Sequence, residues 1–167
     1  MYHLRTTLAT TRRILQQLSH DHRTLGMIFV VPCLLLALLA GLFSDNERMF
    51  DTLGPSLLAI FPMIIMFLIT SIATLRERTS GTLERMLTTP IAKVDILLGY
   101  ALAFGILATI QASLASAVSL WLLGMDVAGP EWMLVVIAVS DALLGTALGL
   151  MLSAFAQSEF QAVQFMP

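Results

Sequence analysis

Apolar residues dominate four long stretches, 25–43, 55–75, 96–123 and 132–155, and polar residues are mostly confined to the chain ends and the segments between them. Each stretch is close to, or longer than, the ~20 residues of helix at ~1.5 Å rise that cross a hydrocarbon core. The third exceeds a minimal span and is expected to tilt or to project beyond the bilayer. Pro32, Pro55 and Pro62 fall in the first two stretches. They are tolerable there if neighbours or water re-satisfy the freed carbonyls, and Pro62 is the expected kink.

The period changes in residues 1–24. Leu4, Leu8, Thr11, Leu15 and Leu18 recur at helical spacing, Ile14 widens the stripe, and Arg5, Arg12, Arg13 and Gln16 fall on the other side. A basic amphipathic helix of this kind suits a headgroup layer, where each Lys or Arg gains about 1 kcal/mol from anionic lipid. Packing against the rest of the chain is compatible with that placement. Because this segment precedes the first apolar stretch and no A-x-A site follows it suitably, that stretch reads as a retained span, not a cleaved signal.

A third pattern occupies residues 76–90, RERTSGTLERMLTTP. Ser80-Gly81 breaks the helix leaving the second span, Leu83, Met86 and Leu87 form an i, i+3, i+4 apolar face, and Thr89-Pro90 ends it. Glu84 and Arg85 lie on the polar side. The expectation is a helix of about two turns across the end of the bundle, too short to hold without tertiary support.

Composition agrees with this reading. With 57% hydrophobic residues, 12% charged residues and a mean hydropathy of +0.87, too little polar surface remains to cover a soluble globule. The fold class is all-α, a polytopic transmembrane bundle with an N-terminal interfacial helix and a short helix across one end. A net charge of −2 argues against a nucleic-acid footprint, and the lone Cys33 reads as a small buried hydrophobe. Arg5, Arg12, Arg13 and Arg23 precede the first span, Arg76, Arg78, Arg85 and Lys93 separate the second and third, and the other two loops hold only Arg48. By the positive-inside rule the N-terminus, the 76–95 segment and the C-terminus are expected to be cytoplasmic.

Catalytic patterns are missing from the sequence. No G-x-x-x-x-G-K-[ST], H-E-x-x-H or G-x-S-x-G occurs, and the only lysine, Lys93, follows no glycine-rich loop. His20 and His22 are two apart and would point to different faces of a helix, which does not make a metal site. Ser113, Ser116 and Ser119 with Ala112 and Ala115 read as a packing stripe, and Gly145 with Gly149 as a close-approach pair within the chain. Asp141 is the one charge in the middle of a span, at a cost of about 2.5–3.5 kcal/mol on an insertion scale. Two readings stay open: a substrate-path or proton-sensitive residue, or a structural hydrogen bond to Gln111 or a span-three serine. Gln157, Gln161 and Gln164 mark a polar face that is a weak second docking candidate.

The order Arg76, Glu77, Arg78, Gly81, Thr82, Leu83, Glu84, Leu87, Thr89, Pro90 and Ile91 resembles the cytoplasmic signature of ABC type-2 transporter permeases, the daunorubicin-resistance-like multidrug exporters among them. The segment from Gly145 to Gln164 is similar to the end of that family's fourth span. The resemblance implies that residues 1–24 are an elbow helix and that 76–95 couple to a separate ABC ATPase subunit. It places the ATPase contact at Glu77, Arg78, Gly81, Thr82, Leu83, Glu84 and Arg85. It also implies a second permease copy or a related permease, and a bacterial plasma membrane location. ATP-Mg would be held by the partner, with no cofactor and no catalytic residue here. The expected cargo is an amphiphilic, drug- or lipid-like substrate, with Asp141 and Gln111 as candidate path residues. The family has six spans, so residues 156–167 are expected to begin a missing remainder. The competing classes are a secondary transporter or intramembrane enzyme relying on Asp141, and a four-span scaffold.

Overall fold

The computed structural model describes residues 2–82, 85, 88, 92–156 and 158–164. Among them the regular structure is entirely helical: α1 (Tyr2–His20), α2 (His22–Leu42), α3 (Glu47–Thr79), α4 (Lys93–Ala117), a π-helical turn (Val118–Leu122), α5 (Glu131–Ser153) and the short α6 (Glu159–Gln164). Among the described residues four helices are long and apolar enough to cross a membrane, as the hydropathy pattern predicts. α3 differs from expectation in length. It starts ahead of Pro55 and runs unbroken through Pro55 and Pro62, carrying the charged Arg76-Glu77-Arg78 on the same helix as the span.

α3 packs most extensively on α5, and α4 on α1 and α5. The α3–α5 contact is set by glycine. A Cβ built on Gly145 would lie 2.2 Å from the Met63 carbonyl oxygen, and one on Gly149 would lie 2.7 Å from that of Phe67. Lipid tails are as apolar as leucine, so helices in a bilayer associate through close packing, and small residues permit it. The buried side of α4 follows the same economy, with Ala103, Ala108, Ala112 and Ala115 fully enclosed and Ser116 bonded to the Ala112 carbonyl oxygen at 2.8 Å.

α1 lies against α4 by only part of the stripe its period suggests. Thr7, Thr10, Thr11, Ile14 and Leu18 are buried, whereas Leu4 is 70% and Leu8 59% exposed. The reason is Gly99: a Cβ there would sit 2.6 Å from the Thr10 side chain, so the backbones come too close for leucine. The Thr11 hydroxyl donates to the Gly99 carbonyl oxygen at 3.2 Å, and His3 Nδ1 and the Thr6 hydroxyl reach the buried Asp95 carboxylate at 2.9 and 3.0 Å. Leu4 and Leu8 then form a strip between the packed face and the exposed Arg5 and Arg12, the arrangement of a helix at an apolar–polar boundary.

At the opposite end of the bundle Trp121 and Trp132 are exposed where α4 ends and α5 begins, in the manner of an aromatic belt. The π-helical turn there closes with Leu123 N–H donating to the Val118 carbonyl oxygen at 3.0 Å. Asp51 accepts a hydrogen bond from the Asp126 amide at 2.9 Å and ties that loop to the start of α3.

Proline supplies the remaining constraint. Pro32 has no N–H, so the Ile28 carbonyl four residues earlier loses its helical donor. Gln111 Nε2 takes that place at 2.9 Å, from a side chain that is 1% exposed. Gln111→Leu is therefore expected to destabilise the bundle by about 1–3 kcal/mol, the cost of a buried unsatisfied carbonyl. Adding Pro32→Ala restores the intrahelical donor and should remove most of that penalty. Unfolding in mixed micelles measures both, and an undiminished penalty in the double variant would contradict the assignment.

Candidate docking interface

The polar end of α3 is tied down on two sides. Arg13 Nη2 of α1 donates to Glu77 Oε2 at 2.8 Å, and the Tyr100 hydroxyl of α4 donates to the same oxygen. The two charged side chains are 33% and 18% exposed, so the pair is better shielded than a surface bridge. One residue later, Arg78 Nη1 donates to the carbonyl oxygens of Ser153 and Ala154 at 2.6 and 2.8 Å. These belong to the unsatisfied C-terminus of α5, where a cation also complements the helix dipole.

Beyond this anchor the helix is brought to a stop. The Thr79 hydroxyl donates to the Arg76 carbonyl oxygen at 3.1 Å and that of Ser80 to the Glu77 carbonyl oxygen at 3.2 Å. Gly81 follows with φ +72, the left-handed conformation that ends helices and favours glycine. Its carbonyl oxygen accepts from the Arg85 amide at 3.1 Å, and Thr82 and Arg85 are helical. The sequence-based stop at Ser80-Gly81 is thus where the chain turns.

Of the seven residues expected to meet a partner, Glu77 and Arg78 are engaged with the chain's own helices, Gly81 and Thr82 are half-buried, and Arg85 is exposed. Leu83 and Glu84 lie outside the described residues, as do Met86, Leu87, the Thr89-Pro90 stop and Ile91. Gln157 of the second polar face is also outside them; Gln161 is half-buried and Gln164 exposed.

The two candidate path residues are not joined. Gln111 bonds to Ile28, and its Oε1 is buried without a partner. Asp141 is half-buried on α5, and among the described residues no hydrogen bond or ion pair is recorded for it, so the expected bond to Gln111 or a span-three serine is not made. Among the described residues no three His, Cys, Asp or Glu side chains gather where a metal could sit.

Sequence reasoning missed the Arg13–Glu77–Tyr100 connection. Its partners stand 64 and 23 positions apart, and no local period links them. The available signal was the placement of Arg13 and Glu77 at the same end by charge counting.

Comparison with known proteins places this geometry in context. The family model described as ABC-2 type transporter matches residues 5–167. A protein named "Probable multidrug ABC transporter permease YbhR" from Escherichia coli (strain K12) is 32% identical over 108 residues, covering 65% of this chain and 29% of the relative. "Probable multidrug ABC transporter permease YbhS" from the same strain is 28% identical over 110 residues, 66% of this chain and 29% of that protein. "ABC transporter G family member 20" of Dictyostelium discoideum is 24% identical over 121 residues, 72% of this chain and 17% of that protein. The chain therefore spans under a third of the length of these relatives. No solved structure matches it significantly.

Glu77→Gln and Arg13→Ala are each expected to raise backbone hydrogen exchange in α1, and the double variant should exceed neither single by much, with a coupling energy of about 1 kcal/mol. Unchanged protection of α1 in Glu77→Gln would show that the Thr–Gly99 packing alone holds the helix.

Proposed function

The chain belongs to the ABC-2 type transporter family, and on that premise we propose that it is the permease subunit of an ATP-driven exporter, driven by a separate ATPase subunit. Two permease copies, or this chain and a related one, would enclose the pathway. The N-terminus and the 76–95 segment would face the cytoplasm of a bacterial cell, following the eight-to-one distribution of Lys and Arg. The observation that carries the reading is the form of α3. One rigid helix crosses the bundle, is held by Arg13, Tyr100 and the end of α5, and delivers the chain at Gly81 to a segment whose Arg85 is exposed.

A displacement of that segment by a closing ATPase pair would act on α3 directly, and through Glu77 and Arg78 on α1, α4 and α5 together. This is how a local push biases a bundle with two packed arrangements. Glu77 and Arg78 then serve inside the permease as the levers' fixings, and the contact with the ATPase falls to Thr82, Leu83, Glu84 and Arg85. The multidrug wording attached to the bacterial relatives supports an amphiphilic, drug- or lipid-like cargo. Asp141 fits a position on the pathway, because a mid-span carboxylate with no partner among the described residues needs water or a polar neighbour. Gln111 is better explained by Pro32.

The test is association with the cognate ATPase. Leu83→Asp, Glu84→Arg and Arg85→Glu should each weaken co-purification and coupled ATPase activity by about tenfold, equivalent to ~1.4 kcal/mol. In the same preparations Asp141→Asn should leave association intact and slow export. Undiminished association in all three interface variants would overturn the docking assignment, and unaltered export in Asp141→Asn would remove that residue from the pathway.

A further inference from the structure

The helical path of α5 does not stop at Ser153. The amides of Phe155 and Ala156 both donate to the Leu152 carbonyl oxygen, at 3.0 and 3.1 Å, so Phe155 stays one turn beyond Met151 on the exposed side of α5. The chain then restarts as α6 from Ser158. Its hydroxyl accepts from the Gln161 amide at 3.2 Å, and its carbonyl oxygen accepts from the Ala162 amide at 3.0 Å.

Small residues fix where α6 lies. Ala156 and Ala162 are fully enclosed and pack with the buried Leu75 of α3. Leu75 stands three residues, about 4.5 Å of helix, inside Arg78. Arg78 in turn reaches the carbonyl oxygens at the end of α5. The chain leaving α5 therefore does not run away from the bilayer but folds back beside α3, to the level of the last apolar turn of that span. Phe160 is two residues from Ala162, about 200° around the helix, and so faces away from α3. It is 72% exposed, and Phe155 is 67% exposed.

We propose that α6 is a membrane anchor lying at the headgroup–acyl boundary of the leaflet at the charged end of the bundle, with Phe155 and Phe160 set among the lipids. Two observations favour lipid over a protein partner. Phe155 continues the exposed strip of Leu144 and Met151 that α5 turns outward, and the contact with Leu75 holds Phe160 beside the end of a span, not below it. Aromatic side chains favour that layer. Residues 153–167 contain no Lys or Arg, so the anchoring rests on apolar burial and not on anionic headgroups. It steadies against the leaflet the same α5 terminus that Arg78 grips.

The experiment places a nitroxide at Phe160→Cys on a Cys33→Ser background, with the full chain in phosphatidylcholine nanodiscs, and compares its collision rates with oxygen and with a water-soluble nickel chelate. Met151→Cys supplies the lipid reference and Ser80→Cys the aqueous one, both positions being exposed. The oxygen-to-nickel ratio at 160 is expected to lie near that of Met151 and several times above that of Ser80. Exchanging part of the phosphatidylcholine for phosphatidylglycerol should leave it unchanged. With the label moved to Val163→Cys, Phe155→Ser and Phe160→Ser together should shift the ratio toward the aqueous reference, while thermal unfolding stays the same because neither phenyl group belongs to the core. A ratio at 160 close to that of Ser80, a label reached by neither reagent, as under a protein partner, a ratio that rises with phosphatidylglycerol, or a ratio at 163 indifferent to the loss of both phenylalanines would overturn the proposal.

Discussion

Glu77 and Arg78 are adjacent in sequence and opposite in effect. Neighbours on an α-helix project about 100° apart, so one turns toward α1 and α4 while the other turns toward the end of α5. Arg13 and Tyr100 converge on Glu77, and Arg78 satisfies two carbonyls at the terminus of α5. The last polar turns of α3 are thereby joined to three other helices before the chain departs at Gly81. Without those bonds the polar end of α3 would lose its side-chain ties to α1, α4 and α5, and the last carbonyls of α5 would lose the donor that Arg78 supplies.

The apolar half of the bundle is built to make that end rigid. Gly145 and Gly149 bring α5 against the backbone of α3, and Gly99 does the same for α1 against α4. Close backbone approach replaces the hydrophobic drive that lipid cannot supply. Proline would loosen such a structure, yet the carbonyl released by Pro32 is met by Gln111 from α4. Gln111, Ser116 and Thr146 inside the bundle give their hydrogen bonds to helix carbonyls, whereas no such bond is found for Asp141 among the described residues.

The spans were legible because hydropathy is a local property and a bilayer imposes a length on it. The turn at Gly81 was legible for a similar reason, since a glycine after a polar helix end has one common use. The start of α3 was not, because Pro55 reads as a boundary although a membrane helix can absorb it. The packed face of α1 was legible in part: Thr11, Ile14 and Leu18 of the periodic stripe are buried, while Leu4 and Leu8 of the same stripe are exposed, because the contact was decided by Gly99, 91 positions beyond Leu8. Glu77 was picked out as a docking residue from its place in a charged motif. Its bond to Arg13 depends on how α1 folds back, which no window of sequence contains. The resemblance to the ABC-2 type family was carried by residue order in the charged segment and at the end of the fourth span, and the family match extends over residues 5–167.

The central claim is that α1 and the polar end of α3 form one mechanical unit. Spin labels at Gln16 and Ser80, both exposed, on a Cys33→Ser background would measure it by pulsed electron resonance in the complex with the proposed ATPase partner. The account predicts a single narrow distance distribution that is the same with and without a non-hydrolysable ATP analogue, as the two helices travel together. A distribution that broadens or shifts with nucleotide would contradict it.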